Sequence, residues 1–174
     1  MKNLKVIGIF ILTLAAGQQA FGFSGGISGY SGNAATNSGN TCVLCHSGGV
    51  TPSISLTGPV LVQPGTINTY TLTISGGQAN SGGLYISADA GTLINTLANT
   101  KLTSGEIIHT QRTAADASGI VSWSFDWHAP TTLSSYTLYS SGLSTNADFN
   151  TTGDDVASIA NTLTVSANRP EEHT

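Results

Sequence analysis

The sequence predicts an all-β protein, an antiparallel β-sandwich of about seven strands preceded by a Gly/Ser-rich segment. Three observations predict it. Short runs of β-branched and aromatic residues alternate with a period of two, turn sequences separate them at short intervals, and no stretch after the N-terminus carries a helical apolar period. About seven strands at this spacing in one domain-sized chain suit two packed sheets.

The expected strands occupy residues 53–62, 66–75, 83–88, 106–111, 119–127, 135–141 and 160–166. Gln63-Pro64-Gly65, Ser75-Gly76-Gly77, Ser81-Gly82-Gly83, Asp116-Ala117-Ser118-Gly119 and Ala129-Pro130 mark turns between them. The clearest alternation places Tyr70, Leu72 and Ile74 on a core face. In the 119–127 run, Trp123, Phe125 and Trp127 share one face, and Ser122, Ser124 and Asp126 share the other. A tight turn over 111–119 would pair this run with 106–111 as a hairpin. His109 would then lie opposite Trp123 on the aromatic face, and His128, of opposite parity, would face solvent. A register slip of one residue would exchange the two histidines.

The N-terminus reads as an export signal. Met1-Lys2-Asn3-Leu4-Lys5 is a short positive region, residues 6–16 are uncharged and mostly apolar, and Ala20-Phe21-Gly22 offers a small-x-small cleavage site. The apolar run is short for a membrane span, so a cleaved signal peptide over 1–22 is expected rather than an anchor. Of 5 Lys+Arg, Lys2 and Lys5 would leave with it, so 3 would face 9 Asp+Glu, a net of −6. That balance argues against nucleic acid or an anionic membrane surface as a partner.

Residues 24–40 are rich in Gly, Ser and Asn, with Tyr30 the largest side chain, and bury too little apolar surface to fold alone. They form either a flexible leader or a loop draped over a ligand face, where glycine permits close backbone approach. They run into Thr41-Cys42-Val43-Leu44-Cys45-His46, which reads Cys-x-x-Cys-His, the attachment signature of a c-type haem. Two thiols at this spacing add to the two vinyl groups of one haem, and the following imidazole becomes the proximal iron ligand. The alternatives are a Cys42–Cys45 disulfide or a zinc site. A thioredoxin-like role needs a βαβ context, and structural zinc needs four ligands; the sequence offers neither.

Composition also limits the distal ligand. The sole methionine is Met1, which would leave with the signal, so a His/Met pair is not expected. The remaining candidates are His109, His128, His173 and Lys101. His109 is preferred on strand parity, and His128 is the alternative. The segment 23–52 is thus read as the haem-attachment segment, 53–167 as the sandwich and 168–174 as a polar tail. Asp154-Asp155 reads as a solvated turn rather than an acid–base dyad. Asp148, Asp154 and Asp155 offer hard oxygens for calcium but lack the EF-hand spacing.

The order of several short motifs resembles the Reeler (reelin-type) domain. These are Pro64-Gly65 with Tyr70-Thr71-Leu72, Gly83-Leu84-Tyr85, Ile108-His109-Thr110, and Trp123-Ser124-Phe125-Asp126-Trp127-His128-Ala129-Pro130. The arrangement is most similar to secreted bacterial relatives that place Cys-x-x-Cys-His and Ser-Gly-Gly before the sandwich. Gly142, Asn146, Gly153, Asp154 and Asp155 are similar to their closing segment. The resemblance implies an immunoglobulin-like sandwich and a recurrent histidine at the position of His109. The chain departs from the family at His128, where a small polar residue is usual, and in its polar tail, where many bacterial relatives have a membrane anchor.

The function expected from the sequence is an exported, periplasmic or extracellular monohaem c-type cytochrome. It would pass single electrons to redox partner proteins, with possible self-association, and would not be an enzyme. The competing readings are a secreted binding or surface-interaction module with a structural or sensing haem, and a haem peroxidase or gas binder with an open sixth position.

Overall fold

The structure, a computed structural model, describes residues 23–167. The expected signal segment and the polar tail, His173 included, lie outside the described residues. A four-residue helix α1 (Ala34–Asn37), capped by the Asn33 side chain accepting from the Ala35 amide, comes first. A 3-10 turn (Cys42–Leu44) follows and carries the first half of the cysteine motif. Then come the strands β1 (Ser47–Gly48), β2 (Ser53–Thr57), β3 (Leu61–Val62), β4 (Ile67–Ser75), β5 (Ser81–Ala88) and β6 (Thr92–Ile94). They continue with β7 (Thr100–Thr103), β8 (Glu106–His109), β9 (Thr113–Ala114), β10 (Ile120–His128), β11 (Ser134–Thr145) and β12 (Thr152–Val165).

The strands form two sheets. The smaller has the order β2-β4-β10-β6, and the larger β1-β12-β11-β5-β8-β7, with β3 beside β12 and β9 beside β5. Naming β2, β4, β5, β6, β10, β11 and β12 as A to G, the smaller sheet reads A-B-E-D and the larger contains C-F-G. That is the immunoglobulin constant-type arrangement. Among the described strands only β1 and β3 run parallel to their neighbour, both against β12.

The core between the sheets follows the alternation read from the sequence. Tyr70, Leu72 and Ile74 of β4 and Trp123, Phe125 and Trp127 of β10 are all buried in it. They meet Leu84 and Ile86 of β5, Ile107 of β8, Leu138 of β11 and Leu163 of β12. The two tryptophan N–H groups do not go unpaired: Trp123 Nε1 donates to Thr113 Oγ1 at 2.9 Å and Trp127 Nε1 to the Ala90 carbonyl at 3.0 Å. The first bond ties a core ring to β9 and the second ties one to the loop before β6.

Several expectations are corrected. The run 53–62 is two strands, interrupted at Gly58, whose backbone has φ +154° and lies against the Tyr70 ring. Immunoglobulin strand D is β6, within a stretch the alternation did not mark. The expected hairpin between 106–111 and 119–127 does not form. β8 pairs with β5 and β7, whereas β10 pairs with β4 and β6 in the other sheet. His109 therefore does not lie opposite Trp123. β12 begins at Thr152, eight residues before the expected start at 160, and pairs with β11 through Asp155.

The larger sheet is covered on both faces. Every residue of β5 except the last is buried. Leu84 and Ile86 enter the main core, while Tyr85 points outward into a second cluster with Cys42, Ile108, Leu143 and Val156, against which Tyr30 packs. The cover on that outer face is the N-terminal segment.

Candidate functional site

The outward positions of the larger sheet are mostly small. Gly83 and Ser87 on β5 and Ser141 and Thr145 on β11 let another backbone approach closely. The N-terminal segment uses this space. Ser31 Oγ lies 2.8 Å from Ser87 Oγ and donates to Glu106 Oε1 at 2.7 Å. The Gly29 amide donates to the other oxygen of the same buried carboxylate. Gly26, at φ +69°, passes so near the His109 carbonyl oxygen that no Cβ would fit there. Here the glycine-rich composition serves close approach of the segment to the sheet. Replacing Glu106 by leucine should cost about 1–3 kcal/mol for each donor left without an acceptor. Limited proteolysis would then cut within 24–40 well before the sandwich unfolds; cleavage kinetics equal to the parent's would refute the latch.

The segment brings the cysteine motif onto the sheet. Cys42 is buried, its Sγ 3.9 Å from Ser141 Oγ, while Cys45 is exposed; both are free thiols. Burial pushes the Cys42 thiol up to about 12, so at neutral pH it is no thiolate. That is not the state of a low-pKa redox thiol. The backbone amides of Cys45 and His46 both donate to the Cys42 carbonyl, at 3.1 and 2.9 Å, closing the turn. Strand β1 then pins the chain beside β12, with the Gly49 amide donating to the Asp154 carbonyl at 3.0 Å.

His46 and His109 line one cavity of about 370 Å³, with Tyr85, Arg112, Phe149 and Asp154 among its other walls. A smaller cavity of about 40 Å³ also reaches His46 and Tyr85 and is lined by both cysteines. His46 Nδ1 lies 2.8 Å from Asp154 Oδ2, so the ring donates there and Nε2 is its free nitrogen. His109 sits at the end of β8. Its ring lies over Gly83, where a Cβ would come within 2.7 Å, and edge-on to Tyr85 at 5.3 Å. Its Nδ1–H donates to the Leu84 carbonyl at 3.3 Å, and the Phe23 carbonyl is a second polar neighbour of the ring. Burial lowers the His109 pKa, opposed by the carbonyls of Leu84 and Phe23, so the ring is neutral near pH 7 and keeps a lone pair.

Of the residues read from the sequence, Cys42, Cys45, His46 and His109 are thus gathered on one face. His109 reaches it by the opposite side of the sheet from that expected: not the aromatic core but the outer cluster around Tyr85. His128 is exposed on the smaller sheet and contacts the Gly65 carbonyl through Nε2 at 3.0 Å. Lys101 is exposed on β7 and does not line the cavity. Asp154 is a further correction. It is not a solvated turn residue but 1% exposed, its Oδ1 accepting from the Asn146 amide at 2.9 Å. Asp148 and Asp155 turn elsewhere, to Asn150 and Thr51. Among the described residues no group of three or more His, Cys, Asp or Glu is placed to hold a metal ion. Arg112, which the sequence reading passed over, stands at the cavity with its guanidinium 4.5 Å from the Phe149 ring centre.

No protein-family model matches the chain, and no curated protein matches it. Among solved structures it is similar to the PKD domain of an M14-like peptidase from Thermoplasmatales archaeon SCGC AB-540-F20. The identity is 13% and the TM-score 0.36, covering 67% of this chain and 97% of that one. It is similar, too, to the CARDB domain of the PF1109 protein from Pyrococcus furiosus, solved in complex with di-metal ions. There the identity is 13% and the TM-score 0.36, covering 66% and 94%. Likeness at this level carries no argument about function; the strand order itself establishes the sandwich.

Proposed function

We propose that this protein is an exported monohaem c-type cytochrome, with the haem joined through Cys42 and Cys45 and the iron held by His46 and His109. The observation that carries the reading is the shared cavity: two imidazoles, each with Nδ1 engaged, beside the Cys-x-x-Cys-His motif. A porphyrin supplies four iron ligands, so two protein nitrogens complete the set without a protein chelate. A thioether is neutral and apolar, which fits the buried position of Cys42 better than a thiolate does. Arg112 offers a guanidinium to haem propionates.

When bound, the haem supplies a one-electron couple. The chain's residues hold it, exclude water and set its electronics. Tyr85 and Leu143 line an apolar wall, while Gly83 leaves room for the distal ring. Two imidazoles donate more electron density than an imidazole and a thioether, so a low potential is expected. On the order of its motifs the sandwich is read as Reeler-like, and on the signal segment the protein is placed in the periplasm or outside the cell. Its partners are redox proteins rather than nucleic acid. Among the described residues no helix is long and apolar enough to cross a membrane.

An ultraviolet–visible spectrum of protein matured with c-type attachment machinery tests the ligation. A low-spin, six-coordinate spectrum in both oxidation states supports it; a five-coordinate, high-spin spectrum would favour the peroxidase or gas-binding alternative. Gly83→Val should displace the His109 ring and give a mixed-spin spectrum, since even a Cβ meets that ring at 2.7 Å. An unchanged low-spin spectrum in this variant would show that His109 is not the distal ligand.

A further inference from the structure

We infer that Asp154 is a positioning residue that lowers the iron's reduction potential through His46, an inference that rests on the proposed haem ligation. The two residues are 108 positions apart and meet at 2.8 Å. Asp154 is held on three sides. Its Oδ2 faces His46 Nδ1, its Oδ1 accepts from the Asn146 amide at 2.9 Å, and its carbonyl accepts from the Gly49 amide at 3.0 Å. Gly49 permits that approach, because a Cβ there would lie 2.7 Å from the Asp154 carbonyl carbon. The same residue therefore fixes the ring by its side chain and the chain just beyond the ring by its backbone.

The electrostatics follow from burial. The two side chains are 13% and 2% exposed, and among the described residues no lysine or arginine forms a salt bridge with Asp154. A buried carboxylate needs a partner of opposite polarity. The Asn146 amide serves Oδ1, and the side-chain partner on Oδ2 is the His46 Nδ1 proton. Drawing that proton toward the carboxylate makes Nε2 a stronger donor and fixes the ring plane. The stronger donation, together with the nearby negative charge, favours ferric over ferrous iron.

Asp154→Asn tests this in the full holoprotein. The amide has one acceptor oxygen for two converging donors, His46 Nδ1–H and the Asn146 amide, and carries no charge. The potential should rise by at least a tenfold shift of the oxidised-to-reduced ratio, about 59 mV for one electron. Thr51→Val, which removes the 2.6 Å bond to the neighbouring Asp155, should leave the potential unchanged. An unchanged or lowered potential in Asp154→Asn, with haem attached, overturns the inference; so does an equal rise in both variants. If Asp154→Asn does not mature, the unmodified holoprotein decides. Its His46 Nδ1 proton should exchange with deuterium at least tenfold more slowly than a ring proton of the exposed His128, and equal rates contradict the inference. Absence of covalent haem in the unmodified protein would instead refute the ligation on which it rests.

Discussion

Replacing His109 by alanine is expected to convert a low-spin, six-coordinate spectrum almost completely to a high-spin one and to open the iron to carbon monoxide. The expectation rests on where the ring is held. His109 ends β8 with its Nδ1–H on the Leu84 carbonyl and its ring in an edge-to-face contact with Tyr85, in the cavity it shares with His46. Alanine removes the nitrogen and leaves a void walled by Tyr85 and Gly83 that small ligands can enter. The same replacement at His128 should leave the spectrum unaltered, because that ring is exposed on the other sheet and contacts the Gly65 carbonyl. High-spin conversion in the His128 variant and not in the His109 variant would invert the assignment.

The second large effect concerns the two thiols, which the fold treats unequally. Cys42 is 6% exposed within the cluster of Tyr85, Ile108, Leu143 and Val156, whereas Cys45 is exposed. Changing both to alanine should abolish covalent haem. The single variants should differ. Cys45→Ser is expected to retain haem on one thioether with the leader still docked. Cys42→Ser removes a buried sulfur from that cluster, where the hydroxyls of Ser141 and Tyr85 are its polar neighbours, and should both lose a thioether and loosen the leader. Quantitative haem staining after denaturation, alongside limited proteolysis within 24–40, separates the two. Equal protease sensitivity in both variants would contradict the anchoring role of Cys42.

The core was legible because alternation is a local property. Tyr70, Leu72 and Ile74, and likewise Trp123, Phe125 and Trp127, lie where a period of two puts them. The pairing of β8 was not legible. A short connection favours a hairpin with the next strand, but the chain between Gln111 and Gly119 crosses to the other sheet, and β8 stays with β5. One signal was present in the residues: the continuous apolar runs Leu84-Tyr85-Ile86 and Ile107-Ile108 suit a sheet covered on both faces, not one. Parity placed His109 on the core side with Ile107. At the strand end the ring instead lies over Gly83, the outward position without a side chain. The start of β12 was hidden because Gly153, Asp154 and Asp155 are poor strand formers; pairing with β1 and β11 overrides that preference. The His46–Asp154 contact joins residues 108 positions apart and had no local signature.

The measurement that tests the central claim most directly is the intact mass of the exported protein under denaturing conditions without reductant. The proposed function predicts a polypeptide processed before Phe23 and heavier by one haem, with colour that survives denaturation. A mature chain at the bare polypeptide mass, or one carrying a Cys42–Cys45 disulfide and no haem, would contradict it.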